Sequence, residues 1–159
     1  MMGSGKTRVG TELAARLRVR FVDSDEQIER REGRTVREIF EADGEAAFRK
    51  LETDALAEAV GSAERTVIAA AGGVVLDPAN RELLRRAGTV VWLRARPEVL
   101  AGRVRVGDHR PLLGDDALGA LRRLDAEREP LYQEVADAIL DAGDLSPGEV
   151  VARVAELVA

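Results

Sequence analysis

The stretch Gly3-Ser4-Gly5-Lys6-Thr7 decides the fold, because it forms the end of the phosphate-binding pattern G-x-x-x-x-G-K-[ST]. Glycines in this pattern let successive backbone N–H groups curl around phosphate oxygens, and the N-terminus of the following helix adds partial positive charge. We expect Lys6 to reach the β- and γ-phosphates and the Thr7 hydroxyl to coordinate Mg²⁺. A flexible Gly-Ser terminus is the alternative interpretation, but an amphipathic segment begins directly after the loop.

Apolar runs of strand length alternate with amphipathic segments of helix length along the rest of the chain, which predicts βα units around a parallel sheet. The predicted strands cover residues 20–23, 66–70, 89–93 and 138–141. Helical patterns cover 7–18, 45–60, segments starting at Pro78 and Pro97, 117–131 with an end near Pro130, and 148–158. Because no repeat or composition break divides the chain, we expect one domain over residues 1–159.

The composition excludes several classes of protein. The 159 residues include 24 basic and 29 acidic ones, and a net charge of −5 argues against a general nucleic-acid binder. The absence of cysteine excludes disulfide scaffolds, thiolate zinc sites and thiol nucleophiles, and a single histidine excludes a histidine metal cluster. No apolar run approaches the roughly 18 residues of a membrane span, and no signal-peptide pattern is present. We therefore expect a cytoplasmic protein without a membrane partner.

Two aspartates follow the first predicted strand, in Phe21-Val22-Asp23-Ser24-Asp25. Side chains two apart in a strand point the same way, so both carboxylates are predicted to face the carboxyl edge of the sheet, where open α/β folds bind ligands. One carboxylate could serve Mg²⁺ and the other an alcohol substrate. The alternative is an Asx-type cap of a helix that starts near Glu26.

Other candidate residues are less distinctive by themselves. Gly72 and Gly73 follow the second predicted strand and allow close backbone approach to a ligand, or else form a simple tight turn. Arg49, Arg110 and Arg128 would ordinarily be solvated surface arginines. Residues 105–116 lack periodicity and form a loop of a length typical of lids.

Taken together, seven ordered segments resemble the shikimate kinase family, which consists of small kinases of the P-loop NTPase type. The segments are MGSGKT, FVDSDEQIE, GRTVREIF, DGEAAFRKLE, AAAGGVVLDPANRELL, the RPLL of the loop, and REPLY. The resemblance implies an α/β fold in which helices flank a parallel sheet in three layers, with a substrate-binding region at about 26–60 and a lid at about 105–116. It also implies a monomer that transfers the γ-phosphoryl group of ATP to the 3-hydroxyl of shikimate, in aromatic amino acid biosynthesis.

The resemblance implies roles for individual residues at the nucleotide end of the site. The ATP-binding residues would be Gly3, Ser4, Gly5, Lys6, Thr7, Arg8, Arg103 and Arg110. Lys6 and Arg110 would also be catalytic, with Arg110 closing over the phosphates from the lid. Arg103 corresponds to a position that often stacks on adenine. Thr7 and Asp23 would hold the Mg²⁺ cofactor.

At the substrate end, the resemblance gives Asp25 the catalytic role of binding shikimate hydroxyls and orienting or deprotonating the attacking one. Arg49 and Arg128 would clamp the substrate carboxylate, for which the forked guanidinium is better suited than a lysine. Gly72 and Gly73 would present backbone N–H groups to the substrate.

The sequence departs from the family pattern in two places. Ala71 stands where a third glycine is usual, and its methyl group could be harmless or could crowd the substrate pocket. The first glycine of the phosphate loop and the strand before it, central in the family's sheet, have no counterpart, so we expect a gap in the sheet and a natural start about ten residues upstream of Met1. A related kinase, such as gluconate kinase, and an inactive nucleotide-binding protein remain as alternative functions.

Overall fold

Helices and short strands alternate along the chain in the computed structural model, which describes residues 3–103 and 116–158. The elements of the described residues, in order, are α1 (Lys6–Leu17), β1 (Arg20–Asp23), α2 (Ser24–Glu32), α3 (Val36–Val60), β2 (Thr66–Ala69), a 3₁₀ turn (Val74–Leu76), α4 (Pro78–Ala87), β3 (Val91–Arg94), α5 (Pro97–Arg103), α6 (Ala117–Val135), β4 (Ala138–Asp141) and α7 (Pro147–Leu157). Each predicted strand is present and ends within two residues of its predicted bounds.

The strands pair in parallel, as the alternation of strands and helices predicts. In one pair, β1 lies beside β2 with Arg20 opposite Thr66 and Asp23 opposite Ala69. In the other pair, β3 lies beside β4 with residues 91–94 opposite 138–141. The carboxyl ends of β1 and β2 therefore meet at one edge, where the site residues after both strands come together.

A slot separates the two strand pairs. Within the described residues, no hydrogen-bonded pair joins β2 to β3, and a cavity of about 500 Å³ lies between them. Its walls are the facing edges of β2 and β3 together with apolar side chains from both faces of the fold, among them Val9, Leu13, Leu56, Val60, Leu84, Val135 and Val154. This gap agrees with the gap in the sheet that the sequence predicts.

Two apolar clusters cover the two faces of the strands. On one face, Leu93 and Leu140 pack with buried residues of α1 and α7. On the other face, Trp92 packs with buried residues of α3, α4 and α6. Neighbouring residues of β3 thus point to opposite layers, as the alternation of side chains along a strand requires. The layered α/β prediction is confirmed.

Two helices differ from their predicted bounds. Helix α3 begins at Val36, where Thr35 and Glu38 form a capping box, and breaks at Gly44 (φ 82°, ψ 171°) before continuing along the predicted segment. Helix α6 runs through Pro130 to Val135, so the predicted end near Pro130 is wrong. Tyr132 and Val135 are buried beyond the proline, and their packing offsets the backbone hydrogen bond that proline cannot make.

The helices that start at prolines match their predictions. Pro78 and Pro147 occupy the first turns of α4 and α7, where the missing N–H has no helical partner to lose. Asp77 caps α4, and Ser146 caps α7 in a capping box with Glu149. Among the helices of the described ranges, none combines the length and the apolar character that crossing a membrane requires.

Candidate active site

The phosphate loop leads directly into α1. Gly3 and Gly5 have positive φ angles of 73° and 85°, and a Cβ at Gly5 would meet nothing within 4 Å, so backbone conformation rather than space requires glycine there. Helix α1 starts at Lys6, and no acidic residue lies in its first turn. The first turn of α1 itself therefore adds no negative charge at this helix end, which suits a bound phosphate.

A smaller cavity of about 190 Å³ adjoins the phosphate loop. The loop and Arg8 line one side, and Arg103 lines the other together with residues between Ala142 and Val150. The Arg103 guanidinium is held by the chain, since Nη2 donates to the carbonyls of Ala142 (3.1 Å) and Gly143 (2.8 Å). Gly3, Ser4 and Gly5 of the phosphate loop line this cavity, so it is a candidate site for a nucleotide bound by the loop.

Thr7 and Asp23 meet across the gap between α1 and β1. The Thr7 hydroxyl donates to Asp23 Oδ2 at 2.7 Å. The second carboxylate oxygen of Asp23 caps α2, accepting from the N–H groups of Asp25 (3.0 Å) and Glu26 (3.4 Å). A hydroxyl and a buried carboxylate are hard oxygen donors of the kind that Mg²⁺ prefers beside phosphate, so these two residues fit the ion.

Asp25 does not continue the strand, contrary to the alternation argument. Strand β1 ends at Asp23, and Asp25 lies in the first turn of α2. The alternative interpretation is therefore confirmed for Asp23, which is an Asx-type helix cap as well as the partner of Thr7. Helical geometry, not strand alternation, brings Asp25 to the carboxyl edge of the sheet.

Arg49 is held by carboxylates on its own helix. Its Nη1 donates to Glu52 Oε2 at 2.5 Å, and its Nη2 donates to Glu45 Oε1 at 2.7 Å. The side chain is 21% exposed, so Arg49 is not the solvated surface residue that its helix pattern alone suggests. A Cβ on Gly73 would lie 1.8 Å from Arg49 Nη1, which shows how closely the guanidinium covers this glycine.

Glu52 is buried at 2% exposure, and several charged side chains act on its carboxylate. Burial raises the pKa of the Glu52 carboxyl, and the charge of Asp25 raises it further. The hydrogen bond and charge of Arg49 and the charge of Arg128 lower this pKa without cancelling the effect of burial. Both arginines and Asp25 therefore lie near one buried carboxylate.

Arg128 reaches this region from α6. The residue is 4% exposed, and its Nε finds no hydrogen-bond partner among the described residues. A buried guanidinium with an unpaired N–H is costly unless an anion or another acceptor completes it. Its position suits the fork-shaped contact to a carboxylate.

The glycine turn, defined as residues 71–73, follows β2. The methyl of Ala71 is packed in the apolar core with Leu56 and Val74. The Ala71 N–H donates to Ser24 Oγ at 2.8 Å, which ties the turn to the start of α2. Of the two predicted outcomes for Ala71, its packing in the core supports the harmless one.

A comparison of the whole chain decides the family. A family model described as shikimate kinase matches residues 2–159. The chain belongs to the shikimate kinase family. The predicted recognition and the predicted P-loop kinase fold are both confirmed.

Curated relatives and solved structures agree with this membership. The shikimate kinase of Aromatoleum aromaticum is 48% identical over 155 residues, which cover 97% of this chain and 88% of the relative. That of Symbiobacterium thermophilum is 48% identical over 159 residues, covering 98% and 91%. A shikimate kinase structure from Acinetobacter baumannii in complex with shikimate matches with a TM-score of 0.95 and 37% identity, covering 99% of this chain and 88% of that one.

The described residues bring together most of the predicted shikimate kinase site. Arg49 and the glycine turn lie against Glu52, and the charges of Asp25 and Arg128 act on its carboxylate, while the phosphate loop and Arg103 line the smaller cavity. The catalytic arginine predicted in the loop, Arg110, lies outside the described residues, as does most of the predicted lid.

Sequence reasoning missed Glu52, Ser24 and Tyr132. Glu52 is three residues after Arg49 and Tyr132 four residues after Arg128, so each shares a helix face with a predicted site residue. This helical spacing from Arg49 and Arg128 was the signal in the sequence that could have identified Glu52 and Tyr132.

Proposed function

We propose that this protein transfers the γ-phosphoryl group of ATP to the 3-hydroxyl of shikimate, forming shikimate 3-phosphate and ADP. The observation that carries the proposal is the buried meeting of Arg49, Arg128 and the glycine turn beside Asp25. Two guanidinium groups suit the carboxylate of a small acid, and the carboxylate of Asp25 suits its hydroxyls. Membership of the shikimate kinase family supports the same substrate.

The nucleotide end supports ATP as the phosphoryl donor. The phosphate loop and Lys6 would bind the β- and γ-phosphates, with Arg8 and Arg103 nearer the nucleoside. Thr7 and Asp23 would hold Mg²⁺, which when bound neutralises negative charge on the phosphates. Arg110 would add a further positive charge at the γ-phosphate.

The main task of the protein in this reaction is to position the acceptor hydroxyl and the γ-phosphoryl group. Asp25 would orient the 3-hydroxyl and accept its proton while the hydroxyl oxygen forms a bond to the γ-phosphorus and the bond to the β–γ bridging oxygen breaks. Arg49, Arg128 and the amides of Gly72 and Gly73 would fix the acceptor in line with that bond. Lys6 would stabilise negative charge on the transferring group.

The acceptor test compares shikimate with gluconate. Purified protein with ATP and Mg²⁺ is assayed for ADP release, and the expected result is release that depends on shikimate. Release that depends on gluconate would favour the related sugar-acid kinase. ATP binding without turnover on either acceptor would favour the inactive nucleotide-binding protein.

The role of Asp25 is tested by Asp25→Asn. Loss of the proton acceptor should reduce kcat by about 10²-fold or more, while the affinity for ATP stays unchanged. Asp54→Asn, at an exposed position of α3, is the matched control and should behave as the unchanged protein. Turnover of Asp25→Asn at the unchanged rate contradicts the assigned role.

We also propose a monomeric cytoplasmic enzyme whose partners are its two small-molecule substrates. The net charge of −5 gives no general attraction to nucleic acid, which supports this view. Light scattering coupled to size exclusion should give the mass of one 17.2 kDa chain, and a mass of twice that value contradicts the monomer.

A further inference from the structure

The glycine turn has an uneven pattern of hydrogen bonds. The Ala71 N–H donates to Ser24 Oγ at 2.8 Å. The carbonyls of residues 71, 72 and 73 accept from Val74 N at 3.3 Å, Tyr132 Oη at 2.8 Å and Leu76 N at 3.0 Å, in that order. The N–H groups of Gly72 and Gly73, by contrast, find no acceptor among the described residues. Hydrogen bonds to its carbonyls and to its first amide therefore fix the turn, while the N–H groups of Gly72 and Gly73 stay available as donors.

One of these fixing bonds comes from a distant helix. The Tyr132 hydroxyl of α6 donates to the Gly72 carbonyl at 2.8 Å, across 60 positions of sequence. In a trans peptide the carbonyl and the next N–H point in opposite directions. The bond to the Gly72 carbonyl thus sets the direction of the Gly73 N–H, which points away from Tyr132.

Tyr132 is also linked to Arg128. The two residues are one helical turn apart on α6, and both are buried. Burial raises the pKa of the Tyr132 phenol, and the charge of Arg128 lowers it in part. The phenol therefore keeps its proton and remains a donor to the carbonyl.

We propose that Tyr132 is a positioning residue for the substrate, whose hydroxyl holds the Gly72 carbonyl and so fixes the direction of the Gly73 N–H, one helical turn from the guanidinium of Arg128. The inference rests on the proposed function, since the anion or hydroxyl that these two donors bind is taken to be shikimate. Tyr132 itself does not touch the reacting atoms.

The test is Tyr132→Phe, which removes the hydroxyl and keeps the ring that packs on Trp92 at a centroid distance of 5.4 Å. We expect the KM for shikimate to rise about tenfold, the usual effect of losing one such hydrogen bond, with the KM for ATP unchanged. Asp137→Ala, which removes a hydrogen bond of 2.7 Å from Val90 N at the amino ends of β3 and β4, is the matched control for lost stability and should leave both KM values unchanged. An unchanged KM for shikimate in Tyr132→Phe overturns the proposal.

A second measurement separates this proposal from the proposed function. The ¹⁵N–¹H signal of Gly73 should differ between the unchanged protein and Tyr132→Phe without any ligand, because the peptide loses its fixed direction. A Gly73 signal that is the same in both proteins overturns the positioning role. A Gly73 signal that differs, in a protein that shows no shikimate-dependent turnover, overturns the proposed function and leaves the positioning of the turn in place.

Discussion

At the scale of single residues, Arg49 shows how the fold prepares a cation for an anionic substrate. Its guanidinium is bonded to Glu45 and Glu52 and lies over Gly73. Bonds on several sides fix the plane of the group before any ligand arrives, which reduces the entropy lost on binding. A lysine ammonium has neither the fork nor the plane.

Arg49→Lys should therefore weaken the binding of shikimate specifically. Because hydrogen bonds to charged groups contribute about 1.5–3 kcal/mol, we expect the KM for shikimate to rise about tenfold to a hundredfold, with the KM for ATP unchanged. Arg86→Lys is the matched control, since Arg86 is 76% exposed in a pair with Glu82. Equal KM values for shikimate in the two variants would falsify the role of Arg49.

Glu52 gives the protein a pH-dependent stability. Burial raises its pKa above the ordinary value of 4.5 in the folded protein, so between pH 4.5 and the folded pKa the folded protein binds a proton more strongly than the unfolded chain does. This contribution to stability is complete below pH 4.5 and is lost as the pH rises through the folded pKa.

The expected result is measured against Glu52→Gln, which cannot ionise. From pH 4.5 upwards, the Tm of the unchanged protein should fall relative to that of Glu52→Gln. Glu64→Gln, an exposed change, serves as control and should run parallel to the unchanged protein. A constant difference in Tm between the unchanged protein and Glu52→Gln across this range contradicts the raised pKa.

The sequence indicated which residues form the site but not their surroundings. Arg49 and Arg128 follow from the family resemblance, yet their helix patterns predict solvated side chains, and both are largely buried. Burial depends on which helix faces meet, and that is a property of tertiary packing rather than of local sequence. Asp25 shows the same limit, because its site position was predicted from strand alternation while helical geometry produces it.

At the scale of elements, proline and capping residues predicted the start of α7, whereas proline failed to predict the end of α6. Pro147 and the Ser146–Glu149 capping box start α7 as the sequence indicates. Pro130 fails as a stop signal because Tyr132 and Val135, one turn further on, are buried in the core. The energy that overrides a proline lies in contacts that are distant in sequence.

Pro130→Ala should therefore stabilise the protein. Proline in a helix interior destabilises the folded state by about 3 kcal/mol. Alanine is more flexible than proline in the unfolded chain, which reduces the advantage of the substitution by about 1 kcal/mol. We therefore expect the free energy of unfolding to rise by about 2 kcal/mol. Pro130 is exposed, so the change leaves no cavity. Urea denaturation measures the free energy of unfolding. Pro147→Ala, at a first-turn position where proline fits, is the control and should give no gain.

At the scale of the whole molecule, the slot divides the strands into two pairs. The Arg65 carbonyl accepts a hydrogen bond from the backbone N–H of Arg20, and the Val90 carbonyl accepts one from the backbone N–H of Ala138. These two carbonyls therefore point toward the paired strand. By the alternation of a parallel ladder, the N–H groups of Ile68 and Leu93 then point into the slot. The slot walls are apolar on both faces, which is typical of the surroundings of a central parallel strand.

We expect a strand in the slot to protect these amides from hydrogen exchange. Without one, the amides of Ile68 and Leu93 should exchange faster than those of Val67 and Trp92, which face a paired strand. A peptide of about six valine and isoleucine residues ending in glycine should slow the exchange at Ile68 and Leu93. The same peptide with a central proline is the control, since it cannot complete the ladder. Equal exchange at all four amides before addition contradicts an open slot.

The position of α1 has a thermodynamic consequence. This helix packs against β2 in one strand pair and, through Val9 and Leu13, against Leu93 and α7 beside the other. A nucleotide held at the N-terminus of α1 is thereby joined to both halves, so its binding energy should appear in a single cooperative melting transition. At a concentration of 100 Kd, ADP should add about 2.7 kcal/mol to the free energy of unfolding, and calorimetry should show one peak moving as a whole. Two peaks, of which ADP moves one, would show that the halves melt independently.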